Sequence, residues 1–332
     1  MAKFNTGKSA PDYNKYTFNK SQTYQITLGK MARLSNEKIA LYANPAFSEI
    51  QMDEIRTGLE NGLSIDKVKL YAQIKPDGNP LYSYYQMNVL RKRLEEKASE
   101  EEISLLTSLN RFGNPIFSGD QMEYLSSCFK LKIPQNIIAI CAKSDTDGNS
   151  LFNAQEMIKI VDFFTKANNE QAKQIFECIN NNLPLEAFGA IMSSDINHKC
   201  MRIYKSFIFD NKIDKDFIKK LIKSNPTYDE LKHLKICTKY AEMFDCTLHL
   251  ECNKNFNIDE TIDALAFDIC SKDKNLSSEK FDIINKYIKN KIDPELLKDF
   301  LDNKDNSYII DLDETLDELF ELNSDSTDDK NR

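Results

Sequence analysis

The chain has no tryptophan, nine glycines, nine prolines and three histidines in 332 residues. So little glycine and proline excludes collagen-like and Gly/Pro-rich low-complexity classes. None of the three histidines accompanies a Gly-x-Ser-x-Gly turn, so the sequence supplies no pattern for serine- or cysteine-hydrolase chemistry. No apolar run approaches the roughly 18 residues that a membrane-spanning helix needs, and no membrane association is expected. The first lysines are not followed by the apolar segment of a secretion signal. Eight cysteines are present without one Cys-x-x-Cys pair. They lie scattered in apolar helical patterns, which points to free buried thiols in a reducing, cytoplasmic setting.

What the chain does have is a recurring phrase. Asn44-Pro45-x-Phe47-Ser48-x-x-Gln51-Met52 returns at Asn79 to Met87 and at Asn114 to Met122, and in altered form at Asn149 to Met157. The four methionines, 52, 87, 122 and 157, are 35 residues apart. Each phrase reads as a helix start. Ser48 is an N-cap, Gln51 completes a capping box, and Phe47 is placed to staple onto Met52. Asn-Pro keeps the incoming chain extended. Met52, Ile55, Leu59 and Leu63 then run at helical spacing, Gly62 offers a left-handed stop, and Ser64 caps a second helix with Val68 and Tyr71. The expected unit is a helix of about 14 residues, a tight corner, a helix of about 9 and a loop. Later echoes are weaker: Gln171-Ala172, Cys200-Met201, Asn225-Pro226, Asn255-Phe256, Leu276-Ser277 and Asp293-Pro294.

The string from Asn44 to Ala72 resembles short helical repeats of bacterial proteins carried by mobile elements and phages. The likeness runs from Ala40 to about Met157. It implies an architecture and a mobile-DNA setting, and no settled activity.

The expected fold is all-α: a right-handed, solenoid-like stack of about seven helical hairpins, regular in the first half and degenerate after about residue 160. Residues 1–34 are read as a basic, aromatic arm, 35–303 as the helical-repeat domain, and 304–332 as an acidic, partly disordered tail. Charge is segregated to match. Residues 1–34 hold six Lys and Arg against Asp12, and residues 311–332 hold two against nine Asp and Glu, in a chain of net charge −8.

Four sites with possible chemistry stand out. Asp145, Asp147, Asn149 and Glu156 follow calcium-loop spacing, with Ser150 where the loop requires glycine. The same residues align with the loop and capping box of the neighbouring phrases, which is the simpler reading. His233, Cys237, Cys246 and His249 could surround a zinc ion, against the plainer reading of core cysteines and surface histidines. Ala2-x-x-x-x-Gly7-Lys8-Ser9 has phosphate-loop spacing but lacks the following helix, since Pro11 and Asp12 come next. Paired acids such as Asp53 and Glu54, or Glu100 to Glu102, read as solvated helix-start residues. No cofactor is expected.

Together these observations predict a non-enzymatic interaction or adaptor protein. The expected partner is a protein with a basic surface, met by Asp311, Leu312, Asp313, Leu316, Leu319 and Phe320. Within the setting that the resemblance implies, it would inhibit a host defence or nucleic-acid enzyme. The competing class is a nucleic-acid-associated protein led by residues 1–33, whose lysines alternate with Phe4, Tyr13, Tyr16, Phe18 and Tyr24. Oligomeric state is left open by the sequence.

Overall fold

The computed structural model describes residues 13–210, 215–246, 248, 256–272 and 278–302. Among them are seventeen α-helices and no strand. The chain divides into two compact units between His198 and Lys199.

The first unit opens with a 3-10 turn (Tyr13–Lys15) and α1 (Lys20–Met31), followed by α2 (Asn36–Tyr42). The segment read as an arm therefore contains a helix. Asn19 caps α1 and Gln22 closes a capping box, the same device as at Ser48 with an asparagine in the serine's place. The buried Gln22, Gln25, Ile26 and Gly29 form the inward face of α1, at helical spacing.

Three long–short pairs follow: α3 (Glu49–Glu60) with α4 (Ile65–Lys69), α5 (Tyr84–Glu95) with α6 (Glu100–Leu106), and α7 (Gly119–Lys130) with α8 (Gln135–Cys141). Long helices have 12 residues and short ones 5 to 7, so both are shorter than expected. Capping boxes form at Ser48/Gln51, Ser83/Gln86, Ser118/Gln121 and, for α9 (Ala154–Lys166), Asn153/Glu156. The staple partners Phe47, Met52, Tyr82, Met87, Phe117, Met122, Phe152 and Met157 are all buried. Long helices pack in succession, α1 on α3, α3 on α5, α5 on α7 and α7 on α9.

α1, α3, α5 and α7 end in the same corner, and so does the helix that precedes Asn182. The residue at 33, 62, 97, 132 or 182 has φ between 55° and 91°, and the N–H of the next residue donates back to a carbonyl of the helix. Gly62 suits this left-handed position; Arg33, Lys97, Lys132 and Asn182 occupy it at a cost.

After α9 the pattern changes. α9 runs almost directly into α10 (Asn169–Asn180), capped by Asn168 and boxed by Gln171, with no short helix between. α11 (Leu185–Phe188) and a 3-10 turn (Gly189–Ile191) complete the unit. Residues 168–197 match 19–48 rather than the longer phrases. Asn19-x-x-Gln22-x-x-Gln25-Ile26 corresponds to Asn168-x-x-Gln171-x-x-Gln174-Ile175, both without the hairpin loop.

The second unit contains α12 (His198–Phe209), α13 (Lys215–Lys223), α14 (Tyr228–Met243), α15 (Ile258–Ser271), α16 (Ser278–Lys289) and α17 (Pro294–Asp302). α14 is capped by Thr227 with Glu230, and Pro294 takes the first position of α17 after Asp293, whose carboxylate accepts from the Glu295 N–H. α15 packs on α16, and α14 on α15, α16 and α17. The ring nitrogen Nε2 of buried His233 donates to the Ile288 carbonyl at 2.7 Å, and the Tyr240 hydroxyl to that of Ile292 at 2.8 Å. His233 is thus a core residue, where the sequence suggested a surface one.

Candidate interaction surface

The capping glutamines have two ends, and the sequence suggested only one. Gln51 Oε1 accepts from the Ser48 N–H, as in any capping box. Its Nε2 donates to the Tyr82 carbonyl, at 2.9 Å. Gln86 does the same to Phe117 at 2.7 Å and Gln121 to Phe152 at 2.6 Å. Each amide therefore ties the start of one long helix to the chain just before the next. Gln22 ties α1 to the Pro45 and Phe47 carbonyls, and Gln171 ties α10 to those of Ser194 and Ile196. Glu156 breaks the series, because a carboxylate caps Asn153 but has no hydrogen for a further carbonyl.

A second polar system, mostly buried, joins successive long helices. Arg56 on α3 reaches Gln25 on α1, Arg91 on α5 reaches Glu54 on α3, and the Tyr85 hydroxyl donates to Glu123 on α7. The Glu123 carboxylate raises the Tyr85 pKa to about 12. Buried Arg93 forks onto Glu102 with 2.6 and 2.8 Å contacts. Glu102 and Glu54, read from sequence as solvated acids, are salt-bridged carboxylates, Glu102 fully buried.

These ties hold three loops in order, at 72–82, 107–117 and 142–152. Each closes by an isolated antiparallel bridge: Ile74 with Pro80, Leu109 with Pro115, Ser144 with Ser150. The backbone bonds repeat, Lys75 N–H to Asn79, Asn110 to Asn114 and Asp145 to Asn149, with glycine at positive φ inside each turn. Loops two and three are also joined: Asn110 donates to Asn149 at 3.0 Å, and Arg111 pairs with Asp147 at 2.6 Å. An apolar and cationic edge is left facing outward. Ile74, Leu109 and Phe112 are exposed, Phe112 by 62 %, and the Arg111 guanidinium lies 4.6 Å from the Phe112 ring. Exposed aromatic and arginine side chains on hydrogen-bonded loops are what protein-binding edges use, because little side-chain or loop entropy is lost on contact.

The calcium-loop residues lie in the third of these loops. Asp145 Oδ1 accepts the Asp147 and Asn149 N–H groups at 2.8 and 2.9 Å, and Glu156 is turned onto its cap. Ser150 takes no positive φ, so the sharp turn of a calcium loop is not made; the bridge to Ser144 takes its place. Backbone hydrogen bonds keep the Asp145 carboxyl below its usual range. The zinc residues are engaged elsewhere too: His233 with Ile288, Cys246 with the Phe244 carbonyl, and Cys237 in the core, where burial pushes its thiol up to about 12. His249 lies outside the described residues. Among the described residues no group of three His, Cys, Asp or Glu side chains is disposed to hold a metal ion. No described helix is long and apolar enough to cross a membrane. The phosphate-loop spacing at residues 2–9, and the proposed contact residues Asp311, Leu312, Asp313, Leu316, Leu319 and Phe320, also lie outside the described residues.

No family model, no curated protein and no solved structure matches this chain.

Proposed function

We propose that this is a non-enzymatic interaction protein whose first unit is a solenoid-like stack of helical hairpins presenting the loop edge of Ile74, Leu109, Arg111 and Phe112 to a protein partner. The observation that carries this reading is the glutamine series. Gln51, Gln86 and Gln121 spend their amides on joining one helix start to the next, which favours a scaffold over a reactive cleft. Loops supported in that way keep apolar and cationic tips exposed and pre-organised. The acidic, apolar stretch from Asp311 to Phe320 is proposed as a second contact, for a partner with a basic surface. The repeat resemblance makes a phage or mobile-element origin, and inhibition of a host defence or nucleic-acid enzyme, the finer form of the proposal.

The test is capture from native cells by the full chain and by Arg111→Ala/Phe112→Ala. Both side chains are exposed, so the variant should melt within about 1 °C of the parent. Loss of one discrete captured protein with melting unchanged supports the reading. Capture that is unaffected removes the loop edge from it.

A further inference from the structure

Charge in the second unit is divided between two stretches. Residues 199–239 carry eleven Lys and Arg against five Asp and Glu, a net of +6; residues 311–332 carry two against nine, a net of −7. On α14, Lys232, Lys235 and Lys239 recur at helical spacing and all three are exposed, while Leu231, Leu234 and Tyr240 are buried. α13 adds exposed Lys220 and Lys223, and α12 adds Arg202. Lys232 is paired with Asp229 at 3.0 Å. Arg202, Lys220, Lys223, Lys235 and Lys239 have no ion-pair partner among the described residues. Like charges at this density repel one another, and an anionic segment laid along them relieves that repulsion.

We propose that the acidic stretch Asp311 to Glu321 docks on the exposed lysines of the basic stretch Lys220–Lys239 of its own chain, as an intramolecular latch. Reach permits it. The Tyr240 hydroxyl, one residue after Lys239, donates to the Ile292 carbonyl just before α17. α17 has 9 residues, and a helix of that length advances about 13 Å. From Asp302 to Asp311 the chain spans up to about 30 Å, more than the roughly 24 Å length of α14. A tether this short gives an effective concentration of the order of millimolar, so a weak electrostatic contact is largely formed at low salt. Tyr228 stands beside the lysines, 38 % exposed, with the Lys232 ammonium 4.9 Å from its ring, and offers an aromatic contact for Leu316 and Phe320. The latch would withhold the acidic stretch until a more basic partner surface competes for it. Only that last step rests on the function proposed above.

The test is zero-length carbodiimide cross-linking of the full chain at low salt, read by mass spectrometry on the monomer fraction. Cross-links from Lys220, Lys223, Lys235 or Lys239 to carboxylates 311–321 are expected. They should fall at least about fivefold in 1 M salt, where the screening length is near 3 Å. They should fall likewise in the full-length variant K220E/K223E/K235E/K239E, whose circular dichroism confirms folding. Their absence at low salt, or persistence in the variant, overturns the latch. A second arm uses an oligo-dT single strand as a soluble polyanion. Full-length D311N/D313N/E314Q/D317N/E318Q/E321Q should bind it at least about fivefold more tightly than the parent, because the lysine face is freed. Equal binding by parent and variant shows that the face was open to external polyanions and also overturns the latch. Either failure leaves the Arg111/Phe112 capture result standing, so the two proposals fall separately.

Discussion

A single amide in this protein does two jobs, and substitutions separate them. In Gln86→Glu the carboxylate still accepts from the Ser83 N–H, as Glu156 does from Asn153, but nothing donates to the Phe117 carbonyl. A buried acceptor without a donor and a partly buried charge should together cost about 2 kcal/mol in urea denaturation. The deficit should narrow as pH falls toward 4, because a protonated carboxyl can donate again. Ser83→Ala, which removes only the cap, should cost about 1 kcal/mol. Equal losses from the two would mean that the amide acts as a cap alone. The corner residues allow the opposite experiment. Lys97 is exposed and held at φ 57°, so Lys97→Gly should stabilise by about 0.5–1 kcal/mol, seen as a higher urea midpoint. The helix starts were legible at this scale, since Ser48, Ser83, Ser118 and Asn153 all cap as their spacing predicts. The donor end of each glutamine was not, because its acceptor lies 31 residues away in sequence and is a backbone carbonyl with no residue signature.

Between long and short helices, the first two pairs share one contact and the next two replace it. A methyl on Gly29 would run into the Tyr42 hydroxyl, and one on Gly58 into the Tyr71 hydroxyl. At the corresponding positions, 35 and 70 residues on, stand Arg93 with Leu106 and Cys128 with Cys141. Where the tyrosine is lost, its volume is refilled by the Arg93–Glu102 pair in one case and by two buried thiols in the other. Burial is what raises the Tyr71 and Cys141 pKa values, the latter to about 12. Gly58→Ala should therefore cost about 1–3 kcal/mol by overpacking, although alanine is the better helix former. Arg93→Ala should cost about 3–5 kcal/mol, since it strands the buried Glu102 carboxylate. Adding Glu102→Lys and Leu106→Tyr to Arg93→Gly imports the arrangement of the preceding pair and should recover most of the loss. If the triple variant is no more stable than Arg93→Gly, the pairs are not interchangeable. From sequence, Glu102 looked like one of three solvated acids at a helix start. Only the approach of Arg93 from the preceding helix shows it to be internal.

At the scale of the molecule, the two units should respond differently to acid. Burial lowers the His233 pKa below 6.5, outweighing the Ile288 hydrogen bond and Asp259, which raise it; Lys291 lowers it further. The unfolded chain then binds more protons than the folded one as pH drops. The stability held by neutral His233 is complete above about pH 6.5 and is lost as pH falls below it toward the depressed folded value. Between pH 7.5 and 5.5, calorimetry should show the melting of the second unit moving down while that of the first holds. His233→Gln should flatten this dependence. A second-unit transition that ignores pH in this window would mean that His233 is not buried as described.

The repeated aromatic-Ser-x-x-Gln-Met phrases were enough to determine the starts of α3, α5, α7 and α9 and the loops between them. Capping and periodicity are local, and a span of ten residues contains all their physics. Three things were decided by tertiary structure. Residues 20–31 became a helix because Gln22 found carbonyls at 45 and 47 and its neighbours found an apolar face to join. Residues 168–197 repeated the form of 19–48, which shows in where Gln171 donates more than in the letters around it. Among the residues that resembled metal sites, Glu156 became a cap, Asp147 an ion-pair partner, and His233 and Cys237 core residues, because what a polar side chain does is set by whichever distant backbone or charge the packing brings close to it.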